Sequence, residues 1–82
     1  MNEYIFYITP AKEIAVCDKQ FWAEHGHLDD KHNKALFEKM QKLGFTELRP
    51  NVFWRPNMTT LQEAVKMLQT NGFRTISLPT NR

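Results

Sequence analysis

The chain has 82 residues, 41% of them hydrophobic and 24% charged, which is the composition of one small globular domain spanning residues 1–82. No apolar run approaches the ~18 residues that a membrane span requires, and the acidic N-terminal segment does not resemble a secretory signal. A single cysteine cannot form an internal disulfide, which indicates a reducing, cytoplasmic setting. Composition therefore excludes a disordered chain, a membrane span and a disulfide scaffold.

Charge is divided unevenly along the chain, although the net charge is only +2. Residues 1–30 carry two lysines against six acidic residues, whereas residues 31–82 carry nine lysines and arginines against three acidic residues. Such asymmetry can steer a polyanion to one side of a protein or bring two copies together. It is equally compatible with two solvated faces that have no partner.

The first predicted element is a strand over residues 4–9, in which every residue is β-branched or aromatic, and Pro10 ends it. A continuous run of this kind is typical of a central strand covered on both faces. Residues 13–17 have two interpretations: a second strand that pairs back on the first, or the start of a helix. A short helix is then predicted from Asp18, a candidate N-cap, to Gly26.

Two later segments each predict a helix followed by glycine, phenylalanine and a strand. The helices are predicted from Asp29 or Asp30 to Leu43 and from Thr59 or Thr60 to Asn71. Both starts of the second helix match the capping-box pattern. Gly44 and Gly72 supply the left-handed residue after each helix, and the phenylalanine behind each glycine folds back onto the last turn. The strands that follow are predicted at 45–49 and 73–78.

A short turn, Pro50-Asn51, joins the strand 45–49 to another at 52–55, and so short a break joins only antiparallel neighbours. The order of elements predicts an α+β fold of the ferredoxin-like βαββαβ type, an antiparallel sheet with two helices on one face. Right-handed crossovers then place the first strand and the strand 52–55 at the centre. A strand at 13–17 would be an addition to this sheet.

One group of side chains has the chemistry of metal ligands. It comprises Cys17, His25, His27 and His32, flanked by Asp29 and Asp30. Only the two later histidines have the spacing of a zinc pair, and the acidic neighbours of the cysteine disfavour its thiolate. The three glycines fit turns and helix caps rather than a phosphate loop. We therefore assign no catalytic residue, no metal site and no cofactor.

The predicted hairpin carries the most unusual surface chemistry. The candidate binding residues are Arg49, Asn51, Trp54 and Arg55 on the hairpin and Arg74 on the last strand. Arginine beside an aromatic ring is typical of surfaces that stack unpaired bases and of hot spots between proteins. Strand alternation places Val52 and Trp54 on one face of the sheet, and Phe53 and Arg55 on the other. An uncovered aromatic face on so small a domain favours a homodimer contact.

Four short motifs lie in the predicted helices, turns and strands between residues 33 and 61. They are Asn33-Lys34-Ala35, Leu43-Gly44-Phe45, Asn51-Val52-Phe53 and Thr60-Leu61. In their order and spacing, which cover about half the chain, they resemble virulence-associated protein D, in the ferredoxin-like group that includes the small CRISPR-adaptation nuclease-like subunit. The resemblance implies a ferredoxin-like fold, dimers formed through the sheets, and a toxin–antitoxin or RNA-cleaving role.

Nuclease activity in that family depends on an aspartate at the end of the first strand, where a carboxylate can hold a divalent metal. This chain has Thr9 at that position and Asn51 where the family has a serine. The function we expect is therefore a non-catalytic, dimeric binding module that contacts RNA or a protein partner. The alternatives are an inhibitor encoded by a phage or mobile element, which would occupy a partner's surface, and a metal-dependent endoribonuclease.

The helix predicted before Leu43 offers a second candidate surface, in case Trp54 belongs to the core. Its lysines are Lys31, Lys34, Lys39 and Lys42. A nucleic-acid partner on such a surface would be recognised by a steep loss of affinity with ionic strength.

Overall fold

The computed structural model describes residues 3–55 and 60–76 and shows an α+β chain. Within these residues the elements are β1 (Tyr4–Ile8), β2 (Ile14–Asp18), α1 (Lys19–His25), α2 (Lys34–Lys42), β3 (Thr46–Arg49), β4 (Val52–Trp54), α3 (Leu61–Thr70) and β5 (Arg74–Thr75). The strands form one mixed sheet in the order β3-β4-β2-β1-β5. No helix in the described part of the chain is long and apolar enough to cross a membrane.

The sheet differs from the predicted antiparallel βαββαβ order because residues 14–18 form a strand. This strand, β2, pairs with β1 on one side and β4 on the other, so it separates the two strands that were predicted to be neighbours. The turn before it is tight: the Thr9 N–H donates to the Glu13 carbonyl at 2.9 Å, and Lys12 has a φ of 67°. One extra reversal inverts every later element relative to β1, and β5 consequently runs parallel to β1.

Helices α2 and α3 pack on one face of the sheet, above the main hydrophobic core. The strands contribute Tyr4, Phe6, Ile14, Val16 and Phe53 to this core, and the helices contribute Leu36, Met40, Ala64 and Leu68. Burying each of the larger side chains contributes about 1.5–3 kcal/mol. This packing explains the apolar stripes of both helices and places Phe53, rather than Trp54, beneath them.

The opposite face of the sheet is covered in part by α1. This short helix was predicted from the sequence, but the predicted fold, with two helices on one face, gave it no place. Tyr7 alternates with Phe6 along β1 and meets Trp22 of α1, with ring centroids 5.5 Å apart. The predicted N-cap of this helix is confirmed, because Asp18 Oδ1 accepts from the Gln20 N–H at 2.8 Å and the Phe21 N–H at 3.2 Å. The sheet therefore carries helices on both faces.

The ends of α2 and α3 follow the predicted helix-glycine-phenylalanine pattern. Gly44 and Gly72 have φ values of 92° and 91°. The Phe45 N–H donates to the Met40 carbonyl, and the Phe73 N–H to the Leu68 carbonyl, each at 3.0 Å. Both phenylalanines thereby enter the core.

The start of α2 lies later than predicted, at Lys34, with Asn33 as its N-cap. Asp29 does not cap a helix, because its carboxylate accepts from the Lys31 N–H at 3.0 Å within a turn. Thr60 caps α3 through the Glu63 N–H at 3.2 Å. The alternative start at residue 59, and the end of the strand predicted to reach residue 78, lie outside the described residues.

Replacing Gly44 by alanine should destabilise the domain more than the same change at Gly72. Both positions have positive φ, which costs about 1 kcal/mol for a residue with a Cβ. A Cβ at position 44 would also lie 2.6 Å from Arg55 Nε, whereas position 72 has open space. We expect urea unfolding to show a somewhat larger loss for Gly44→Ala, because the Arg55 side chain must give up its contact with Gly44. Equal losses would show that the Arg55 side chain moves aside without cost.

Candidate functional site

Arg49 is held in place by a two-point ion pair with Glu13. Its Nη2 and Nη1 atoms donate to the carboxylate at 2.9 and 3.2 Å, although the two residues are 36 positions apart. The guanidinium lowers the pKa of Glu13, and the carboxylate raises the pKa of Arg49 in return. The Arg49 side chain remains 55% exposed. Arg49 is therefore a surface cation with a fixed orientation, and its charge is balanced by that of Glu13.

Trp54 lies on the same face of the sheet as Arg49. Val52 is the strand partner of Arg49, and Trp54 follows Val52 by two positions along β4. The indole is half-buried, and it makes no hydrogen bond or ring contact with any residue in the described ranges. Leu48 occupies a β-bulge beside Arg49 and is 50% exposed. We call Leu48, Arg49 and Trp54 the hairpin corner.

Asn51, another predicted binding residue, is only 1% exposed and holds two segments together. Its Nδ2 donates to the Asp29 carbonyl at 2.7 Å and to the Lys31 carbonyl at 2.9 Å. Its backbone N–H donates to Glu47 Oε2 at 3.1 Å. Its φ of 67° is one that asparagine tolerates better than most residues. The structure thus places Asn51 beneath the surface, as a structural link.

The two remaining candidates lie away from the hairpin corner. Arg55 is half-buried and packs against Gly44 at the end of α2. Arg74 belongs to β5, at the sheet edge opposite β3, and its Nη2 lies 4.0 Å from Glu3 Oε2. Of the five predicted binding residues, the structure brings only Arg49 and Trp54 together on an accessible face.

A cleft of about 240 Å³ adjoins Arg49 on this face. Its lining residues are Tyr7, Thr9, Leu28, Asp29, Asp30, Arg49, Pro50 and Val52. The volume is below the roughly 300–1,000 Å³ of a typical small-molecule pocket, but it can receive one side chain of a partner. No sequence motif marks this cleft, because its walls come from three separated segments.

The candidate metal ligands are dispersed rather than convergent. His25 and His27 pack against Phe21, with ring centroids 4.2 and 5.7 Å away, whereas His32 Nε2 lies 3.2 Å from Glu47 Oε1. Burial raises the pKa of the Cys17 thiol, and hydrogen bonding with the Asp29 backbone offsets part of this rise. In residues 3–55 and 60–76, no three His, Cys, Asp or Glu side chains are arranged to hold a metal ion.

Comparisons with known proteins give no match for this chain among family models, curated proteins or solved structures. The resemblance to virulence-associated protein D therefore stays a prediction. The Thr9 hydroxyl, at the position of that family's aspartate, accepts from the Glu13 N–H at 3.0 Å and so serves the β1–β2 turn. The function must therefore be inferred from the residues of the hairpin corner and the cleft beside it.

Replacing Asn51 by aspartate should cost about 1–3 kcal/mol of unfolding free energy, measured in urea. Aspartate has the same shape and tolerates the same φ, but a carboxylate cannot donate to the two carbonyls. Asn33→Asp is the matched control, because an N-cap position accepts either residue. Equal stability of the two variants would contradict the role given to the Asn51 amide.

Replacing Arg49 by glutamine should raise the pKa of Glu13 towards its ordinary value of 4.5, measured by NMR titration. Because the folded-state pKa is lowered, the pair stabilises the protein above that ordinary value, and the effect disappears as pH falls through the folded pKa. Lys19→Gln is the control: it should raise the pKa of Glu3 and leave Glu13 unchanged. An unchanged Glu13 pKa in Arg49→Gln would show that the pair does not form in solution.

Proposed function

We propose that this protein is a non-catalytic, protein-binding module that uses the hairpin corner, and that a second copy of the chain is its partner. The observation that carries the proposal is the half-buried indole of Trp54, which has no hydrogen-bond or ring partner among the described residues. Tryptophan and arginine are the residue types most enriched at binding hot spots. Here they lie on the same face of the β3–β4 strand pair.

The charges around the hairpin corner favour a protein over a nucleic acid. Both terminal nitrogens of Arg49 already donate to the Glu13 carboxylate, so Arg49 offers no uncompensated charge to a phosphate. Asp29 and Asp30 line the adjoining cleft and would repel a polyanion. A protein surface with an apolar centre and paired charges at the rim has the anatomy of this corner.

A second copy fits the corner because the same groups serve both sides of a twofold interface. Leu48 and Trp54 supply the apolar contact, and each copy brings one Arg49–Glu13 pair of opposite charges. The bulge in β3 disfavours direct extension of the sheet across its edge. We therefore expect the two sheets to meet through their faces rather than edge to edge.

The proposal favours binding over catalysis for reasons of chemistry. The Cys17 thiol is buried and its pKa is raised, which disfavours the reactive thiolate. Thr9 supplies a hydroxyl where the family that the chain resembles uses a carboxylate. The function alternative to dimerisation, inhibition of another protein, would use the same corner on a different partner.

Trp54→Ala should weaken self-association at least ~30-fold, the effect of losing a hot-spot residue, in sedimentation equilibrium. Trp22→Ala makes the same chemical change on α1, where the ring contacts Tyr7, and should lower stability without changing association. Leu48→Asp is a second test, and it should also weaken self-association. Leu48 is exposed, so this variant should fold even if Trp54→Ala lowers stability.

A wild-type protein that stays monomeric at millimolar concentration would refute the proposal. It would also be refuted if Trp54→Ala and Leu48→Asp both associated as strongly as the wild type.

A further inference from the structure

The cleft beside Arg49 combines an apolar base with an acidic rim. Tyr7 and Val52 belong to strands of the sheet and form its base, and Val52 is buried. Asp29 and Asp30 belong to the segment between α1 and α2 and form one wall, where Asp30 is exposed. A lysine side chain has the matching chemistry, because its aliphatic stem packs on apolar surface while its ammonium group stays near carboxylates.

Neither of the cations next to the cleft neutralises its two aspartates. Arg49 donates with both terminal nitrogens to Glu13. The backbone N–H of Lys31 donates to the Asp29 carboxylate, but the Lys31 ammonium group forms no ion pair with either aspartate in the described structure. The cleft therefore offers two carboxylates whose charge a cation of a partner would balance.

Lys12 is the exposed cation that lies at the same end of the sheet as the cleft. It belongs to the β1–β2 turn and forms no ion pair with any residue in the described ranges. Glycine or asparagine adopts its φ of 67° more readily, so the turn itself does not require lysine. Lys19 and Arg74 both approach Glu3. The lysines of the helices on the opposite face are Lys34, Lys39, Lys42 and Lys66.

The strand register places Lys12 and the cleft on opposite sides of Trp54. In the antiparallel register of β2 and β4, Trp54 lies level with Glu13, the residue that follows Lys12. Val52, at the base of the cleft, lies two positions from Trp54 in the direction away from the turn. A twofold axis that passes through Trp54 and runs across the strands exchanges these two sides. Such an axis brings Lys12 of each copy opposite the cleft of the other.

We propose that Lys12 of each copy enters the cleft of the other copy and places its ammonium group beside Asp29 and Asp30. This inference rests on the proposed function, because it names a second contact of the same interface. The two lysine contacts are equivalent by symmetry. The apolar contact of Trp54 and Leu48 supplies affinity, whereas the lysine and the aspartates fix the orientation of the two copies.

Sedimentation equilibrium of the full chain tests the contribution of Lys12. Lys12→Gln should weaken self-association about tenfold, because each dimer loses two equivalent ion pairs. The dissociation constant of the wild type should rise between about 50 and about 500 mM salt, and that of Lys12→Gln should rise less, because salt screens the pairs. Lys66→Gln is the matched control: it removes the same charge from α3, on the other face, and should change neither result.

An exchange of charges tests the pairing itself. Lys12→Glu and Asp30→Lys should each weaken self-association more than Lys12→Gln, because each places like charges together. An equal mixture of these two variants should form a dimer of near wild-type affinity, since one of its contacts is native and the other has its charges exchanged. Both positions are exposed, so the variants should fold, which circular dichroism checks.

Failure of this inference can be told apart from failure of the proposed function. If the wild type dimerises and Lys12→Gln dimerises as tightly as Lys66→Gln, Lys12 does not occupy the cleft, and the hairpin corner remains the interface. The same conclusion follows if the folded, mixed variants associate no more tightly than either variant alone. A wild type that stays monomeric would overturn both.

Discussion

The hydrogen bonds of the Asn51 side-chain amide are the interaction that organises the face of the sheet opposite α2 and α3. It donates to the carbonyls of residues 29 and 31, which are 22 and 20 positions away, and so fixes the segment between α1 and α2 to the hairpin turn. Glu47 completes the link by accepting from the Asn51 N–H and approaching His32. This link holds the segment that forms one wall of the cleft beside Arg49.

The turn between β1 and β2 decides the order of the strands, because it makes residues 14–18 a strand between β1 and β4. Residues 13–17 are compatible with both helical and strand periodicity, and only pairing with β1 and β4 decides between them. Local signals, by contrast, were sufficient for the helix ends. Glycine in the left-handed conformation and the phenylalanine after it require only a few neighbouring residues, and both were predictable.

The sequence was sufficient to predict which residue types form the candidate site, but not which of the predicted residues are accessible or which partners they contact. Arg49 and Trp54 are notable residue types, and strand alternation gives their shared face. The partner of Arg49 is Glu13, across a separation of 36 positions that no sequence period indicates. Asn51 and Arg55 looked accessible for the same reason: the carbonyls and the glycine that bury them come from distant parts of the chain. A turn asparagine, however, is a recognised signal for positive φ.

The domain thus presents an aromatic corner with paired charges, on the face of the sheet opposite α2 and α3. The central claim is that the corner around Trp54 contacts a second copy. Amide and indole NMR signals followed at increasing protein concentration test it most directly, because Trp22 provides an internal reference. The account predicts shifts at Leu48, Arg49 and the Trp54 indole, with the Trp22 indole unchanged. Shifts confined to α2, or none at millimolar concentration, would contradict it.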